Sequence, residues 1–278
     1  MSSEPSAAKP PAPLYDLVLK GGQVIDPKND ISALMDVAVA DGRIARVAEE
    51  IPSLGAKVAV SVSGSYVTPG LIDMHTHLAP NFDISVVPDA HSIPHSVTTM
   101  VDAGSTGGAN FAEFKQRVIG RSKTRVLAFL NVVDLGMGGD FEQDVSRMDV
   151  ELAARTAEMY ADLIVGIKVA HYWVRAPWDA THAPWDNVER GVRAGELCHL
   201  PLMVDFWPRP PERSYADLIL EKMRPGDIHT HVFAQQFPIV SKSGAVNEVL
   251  FRARERGIIF DVGHGAASFW FRNAVPAI

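Results

Sequence analysis

The sequence predicts an α/β fold: a TIM-type (β/α) barrel lacking an eighth strand, preceded at the N-terminus by a small partial β-sandwich domain. Three observations predict it. Residues 14–65 have β texture throughout, and Asp41-Gly42 sits between two apolar runs as a tight hairpin requires. After Gly70, short apolar stretches alternate with helical patterns, which implies parallel strands joined by helices. Polar side chains cluster at the C-terminal ends of those strands, and in a barrel these ends share one mouth, where active sites are built.

Taken in order, residues 1–13 are rich in Ser, Ala and Pro without an apolar core, so they read as a disordered tail rather than a leader or anchor. The β-domain, 14–69, has strand patterns at 16–20, 23–26, 35–40, 43–47 and 57–61. The barrel, 70–278, has strand candidates at 71–77, 98–102, 125–132, 163–169, 201–206, 227–232 and 258–262. Helical patterns at 111–119, 143–160, 185–197, 215–223 and 245–256 separate them. A (β/α) barrel needs eight strands and about 250 residues. Seven are present, so the chain reads as incomplete at its C-terminus, with the eighth strand expected beyond Ile278.

Composition narrows the function classes. Of 278 residues, 47% are hydrophobic and 21% charged, as in ordinary globular domains. The net charge of -7 with no basic patch argues against a nucleic-acid partner. No run approaches the ~18 apolar residues of a membrane span. Cys198 is the single cysteine, which excludes an internal disulfide and fits a reducing, cytoplasmic compartment. The expected partner is a small molecule, with homo-oligomer formation expected from an open barrel edge.

The most informative segment is Asp73-Met74-His75-Thr76-His77, delivered by Val67-Thr68-Pro69-Gly70-Leu71-Ile72. Residues i and i+2 of a strand point the same way, so His75 and His77 leave the strand end side by side, as half of a metal site would. Asp102, Lys168, Asp205, His231 and His264 end later strands. Imidazoles and carboxylates around one pocket mark a Zn-type centre. Lys168 ends an apolar strand, and a lysine is rarely buried without a partner or a task.

Pro69-Gly70-Leu71-Ile72-Asp73-Met74-His75-Thr76-His77 resembles the first-strand signature of the amidohydrolase superfamily. Val165-Gly166-Ile167-Lys168 resembles its fourth strand, and Arg224-Pro225-Gly226-Asp227-Ile228-His229-Thr230-His231 its sixth. Phe260-Asp261-Val262-Gly263-His264-Gly265 resembles the seventh-strand segment of the dihydroorotase and D-aminoacylase-like deacetylases. The resemblance covers the chain after residue 14. It implies a divalent metal, one or two ions of Zn²⁺, held by His75, His77, Lys168, Asp205 and His231, with Lys168 carboxylated to a metal-bridging carbamate. It implies hydrolysis of a cyclic amide or an N- or O-acyl compound through a metal-activated water. Two departures follow. The fifth strand of the family ends in histidine, whereas Asp205 stands here and favours harder ions such as Mn²⁺ or Mg²⁺. The family's eighth strand supplies an aspartate that acts as general base, and that position lies beyond Ile278. The alternative is therefore a truncated or degenerate relative that binds metal without catalysis.

Each residue also has a plainer reading. Lys168 could snorkel from the strand end, and Asp205 could orient a neighbour rather than bind metal. His264 is read as substrate-binding, with a loop-shaping role as the rival, and His171, just past Lys168, as substrate-binding or supporting a ligand. His229 is read as a core residue one layer deeper than His231. His91 and His95 have i, i+4 spacing, but Pro94 between them disfavours a ligand pair. His182 and His199 read as a loop and a helix-end histidine. Trp173, Trp178, Trp185 and Trp207 either wall a substrate pocket or pack their loops.

Overall fold

The computed structural model describes residues 13–80, 83–138, 140–265 and 268–278, so the expected tail lies, apart from Pro13, outside the described residues. The chain divides into two compact units between Leu71 and Ile72.

The first unit is a twisted sheet of order β3-β2-β1-β4, with a short strand β5 also paired to β1. β1 (Tyr15–Asp26) and β2 (Ile31–Ala40) are antiparallel, as are β2 and β3 (Arg43–Ala48). β4 (Ala56–Ser61) and β5 (Tyr66–Val67) run parallel to β1. Asp41 and Gly42 turn the β2–β3 hairpin with φ of 51° and 70°, the left-handed pair that matches strand twist. The two strand patterns at 16–20 and 23–26 are one strand, because the residues between Leu19 and Gly22 form a bulge within β1 rather than a break. A small core of Val18, Ala38 and Ile51 lies on one face.

The second unit is a parallel sheet of seven strands in sequence order: β6 (Leu71–Thr76), β7 (Val97–Gly107), β8 (Arg125–Asn131), β9 (Ile164–Val169), β10 (Leu202–Val204), β11 (Ile228–His229) and β12 (Ile259–Phe260). β6 and β12 are its two edges, yet His75 on β6 lies 2.9 Å from Asp261 just past β12. The sheet therefore curls until the C-terminal ends of its first and last strands meet. Inward residues of successive strands, Val101, Ala103, Phe129, Met203 and Ile228, fill the concave side. The convex side packs on helices through a larger core that includes Leu130, Ile167, Val188, Leu202 and Leu218.

The helices are α1 (Pro88–Ser92), α2 (Phe111–Arg117), α3 (Val150–Met159), α4 (Asp186–Leu197), α5 (Tyr215–Asp217), α6 (Glu248–Glu255) and α7 (Phe271–Ala274). The expected helix over 143–160 is restricted to α3, because Asp144 and Asp149 each cap a fresh turn, at Ser146 N and Leu152 N. Residues 215–223 carry one α turn and then a wider π turn, Leu218–Lys222. α1 and α7 escape the sequence reading because so few residues show no period. No helix among the described residues is long and apolar enough to cross a membrane.

Candidate active site at the barrel mouth

His75, His77, Lys168, Asp205 and His231 line one cleft of about 710 Å³ at the C-terminal ends of the strands, together with His171 and His264. The fold brings all seven predicted site residues there. Asp102 is the exception among the strand-end polar residues. Fully buried, it accepts hydrogen bonds from the Leu78, Gly104 and Ser105 amides, and so shapes the turn after β7 instead of facing the cleft.

The His pair behaves as strand parity requires: the ring centroids of His75 and His77 are 5.7 Å apart, and that of His231 is 4.6 Å from His75. Nδ1 of His77 meets Ser105 Oγ at 2.9 Å. Nδ1 of His75 meets Asp261 Oδ2 at 2.9 Å and Thr230 Oγ1 at 2.7 Å, while its buried Nε2 has no hydrogen-bond partner among the described residues. Burial, with the Lys168 amine as the next cause, pulls the His75 imidazole down to about 4 and that of His77 to about 3. Both rings are therefore neutral near pH 7, the form that binds a cation.

Lys168 is fully buried. Among the described residues, no carboxylate lies within salt-bridge distance of its Nζ, which approaches Met203 Sδ at 3.6 Å. Desolvation lowers its pKa, against the opposing pull of Asp205, Asp261, Glu142 and Asp102 in the wider surroundings. Gly104, at φ +91°, makes room for the lysine stem: a Cβ there would lie 2.7 Å from Lys168 Cβ.

Asp205 Oδ1 accepts from Phe206 N at 2.8 Å and lies 3.1 Å from His231 Nδ1. Burial works to raise its pKa, yet the His231 imidazole and the Lys168 amine outweigh burial and hold the carboxyl well below the usual range. His171 follows the end of β9 in a left-handed conformation, φ +47°. Its Nδ1 meets the buried Glu142 Oε2 at 3.0 Å, and the carboxylate outweighs desolvation to raise the imidazole pKa. Gln143 Nε2 also donates to the His171 carbonyl. His264 lies at the rim, its ring edge-on to Phe269.

The remaining histidines and tryptophans separate by environment. His229 is fully buried among Tyr215, Phe237 and Phe260, a core residue as its parity requires. His182 is buried against Tyr172 and Trp178. His91 and His95 sit at the cleft rim, with Nδ1 of each bonded to a carbonyl of its own turn, Val87 O and His91 O. Trp173 and Trp207 wall the cleft. Trp178 and Trp185 instead pack around the guanidinium of the fully buried Arg213, with Tyr172 and Phe206.

Sequence reading missed Ser105, Glu142, Thr230 and Asp261. Asp261 carried one usable signal, an acid directly after an apolar strand and ahead of Gly-His-Gly. Glu142 carried none, since it lies on a loop far from His171 in sequence.

Among the described residues, no three or more His, Cys, Asp or Glu side chains are spaced to enclose a metal ion as they stand. The donor chemistry nevertheless suits one. A buried imidazole nitrogen without a partner, a desolvated amine and a charged carboxylate face one cavity, which is the deficit a divalent cation would fill.

The chain is similar to several known proteins. No family model matches the chain. It is 34% identical over 254 residues to a deacetylase of Agrobacterium fabrum, covering 86% of this chain and 58% of that protein. It is 30% identical over 271 residues to a deacetylase of Enterococcus faecalis, covering 95% of this chain and 69% of that protein. The solved structure of an adenine deaminase superposes with a TM-score of 0.80 at 29% identity, over 95% of this chain and 69% of that one. A dihydroorotase superposes with a TM-score of 0.72, also at 29% identity, over 94% of this chain and 68% of that one. The chain spans about three fifths of the length of the deacetylases of Agrobacterium fabrum and Brucella anthropi. On this evidence the chain belongs to the amidohydrolase superfamily, in the branch of the dihydroorotases and D-aminoacylase-like deacetylases.

Proposed function

We propose that this chain forms the cation-binding barrel of a hydrolase that cleaves a cyclic amide or an N- or O-acyl bond by means of a metal-activated water. His75, His77, Lys168, Asp205 and His231 would hold one or two divalent ions, Zn²⁺ or, given Asp205, Mn²⁺ or Mg²⁺. When bound, such an ion supplies Lewis acidity toward a carbonyl and lowers the pKa of water. One observation carries the reading: the partnerless His75 Nε2 and the desolvated Lys168 amine share a single cleft with the other three residues.

The protein's own groups then have distinct tasks. Burial lowers the pKa of the Lys168 amine, and its free-base form would take up carbon dioxide: an N–C bond forms to the carbon, one C=O π bond of carbon dioxide opens, one proton leaves, and an anionic carbamate results. His171, with its Nδ1 on Glu142, presents its other ring face to the cleft and contacts substrate, as does His264 at the rim. Trp173 and Trp207 exclude water from the acyl group. The deacetylase names of the most extensive sequence matches favour an acetyl ester or amide as substrate. Self-association belongs to the same reading, since β6 and β12 are the edges of the sheet formed by the described residues. A monodisperse monomer by light scattering would count against that part.

The test is metal analysis of protein prepared with Zn²⁺ or Mn²⁺ and bicarbonate, followed by hydrolysis assays on dihydroorotate, N-acetyl amino acids of both hands and O-acetyl hydroxy acids. At least about one equivalent of metal and turnover of one acyl class are expected. Metal without turnover would favour the non-catalytic alternative, and less than about one equivalent would end both.

A further inference from the structure

Three residues from three strand ends form a closed polar cluster behind the first histidine. Thr230 Oγ1 lies 2.6 Å from Asp261 Oδ2 and 2.7 Å from His75 Nδ1, and Asp261 Oδ2 lies 2.9 Å from that same nitrogen. With Asp261 in the ordinary carboxylate form, proton counting allows one arrangement. A carboxylate oxygen cannot donate, so the 2.9 Å contact requires a proton on Nδ1. The hydroxyl has a single proton, which goes to the carboxylate at the shorter distance. Its lone pair then accepts a share of the Nδ1–H. Were Nδ1 bare, two lone pairs would face each other at 2.9 Å, and the cluster would be repulsive.

Thr230 is fully buried and Asp261 nearly so, so water does not compete for either group. Gly263 presses on the cluster from the next turn. At φ +51°, a Cβ there would sit 2.5 Å from Thr230 Oγ1, 2.6 Å from His231 Cδ2 and 3.0 Å from His75 Nδ1. Any side chain at this position would displace the cluster.

We infer that Asp261 and Thr230 are positioning residues that lock His75 in its Nδ1–H tautomer, so that the lone pair of the buried Nε2 faces the cleft as a ready-made cation donor. The inference rests on the proposed cation site for its consequence, but its structural half stands on the metal-free protein. It also explains why an acid follows the last apolar strand. Asp261 need not reach a metal, because it acts through the imidazole and raises the donor strength of the opposite nitrogen.

Two measurements on the full chain test it. In metal-free protein, ¹⁵N-resolved spectra of the histidine side chains, with His75 assigned from His75→Gln, should show protonated Nδ1 and bare Nε2. Asp261→Ala and Thr230→Val should each return His75 toward a mixed tautomer population. Chelator competition with Zn²⁺ should then show affinity falling about 10–100-fold in Asp261→Ala, with less loss in Asp261→Asn, whose amide oxygen can still accept from Nδ1–H. Thr230→Val, nearly isosteric, serves if Asp261→Ala does not fold. A wild-type His75 carrying its proton on Nε2, or a tautomer and Zn²⁺ affinity unmoved by either substitution, would overturn the inference. Wild-type protein that has the stated tautomer but takes up no Zn²⁺ would sink the cation site and leave the positioning cluster standing.

Discussion

Asp36 in the N-terminal sheet and Lys168 at the barrel mouth are both charged-type residues taken out of water, and they are treated in opposite ways. Asp36 accepts from Gly21 N at 2.7 Å and Ile51 N at 2.8 Å, and pairs with the Lys20 amine, which in turn donates to Ile51 O. Each donor there has its acceptor, and the network ties β1, β2 and the segment after β3 together. Lys168 is more deeply buried, yet among the described residues it has no carboxylate beside it, and the neighbouring His75 keeps a nitrogen without a partner. A closed network holds a fold, whereas buried polar groups left open reserve their bonding capacity for something that arrives later.

The largest way to break the comparison is Asp36→Ala. It strands two buried amides and the Lys20 amine, and should lower stability by about 3 kcal/mol in urea unfolding. A loss under about 1 kcal/mol would mean that the network is incidental. Gly104→Ala comes next. The new Cβ collides with the Lys168 stem and must adopt a positive φ, so about 2 kcal/mol should be lost. Much of that loss should return in the Gly104→Ala/Lys168→Ala double variant, and strict additivity would show that the lysine is not where the strain falls. Lys168→Met should act in the other direction. Replacing an uncompensated buried amine with an apolar chain of similar shape should raise the stability of metal-free protein by about 1 kcal/mol, and a destabilised variant would mean that the lysine has a structural partner.

The smallest effect is read in acid. Burial alone would raise the Asp36 pKa, but Lys20 and the two amides hold it below the ordinary carboxylate value. A carboxyl depressed on folding contributes stability that is complete above its unfolded pKa of about 3.9 and is lost as the pH falls further. The melting temperature of the wild type should therefore drop on acidification below about pH 4, and Asp36→Asn should flatten part of that slope. Parallel acid limbs for the two proteins would contradict the assignment.

Much of this was legible in the chain because the relevant signals are local. Seven apolar runs give the seven strands, and the i, i+2 spacing of His75 and His77 places both rings in one mouth before any coordinates are known. The same parity sends His229 to the core and His231 to the cleft. What the sequence hid depends on contacts between distant segments. Thr230 and Asp261 support His75 across 155 and 186 residues, and Glu142 meets His171 across 29. Arg213 finds its aromatic surroundings in two separate loops. The bulge between Leu19 and Gly22 was hidden for another reason: a glycine pair signals a turn and a bulge equally well, and only the register with β2 decides between them.

The central claim is that the imidazoles of His75, His77 and His231 converge on one cation at the barrel mouth. X-ray absorption at the zinc edge of the Zn²⁺-loaded chain tests it most directly. The account predicts a nitrogen/oxygen shell at about 2.0–2.1 Å, with outer-shell scattering from two or more imidazoles that diminishes in His75→Gln. A shell without imidazole scattering, or a spectrum unchanged by His75→Gln, would contradict it.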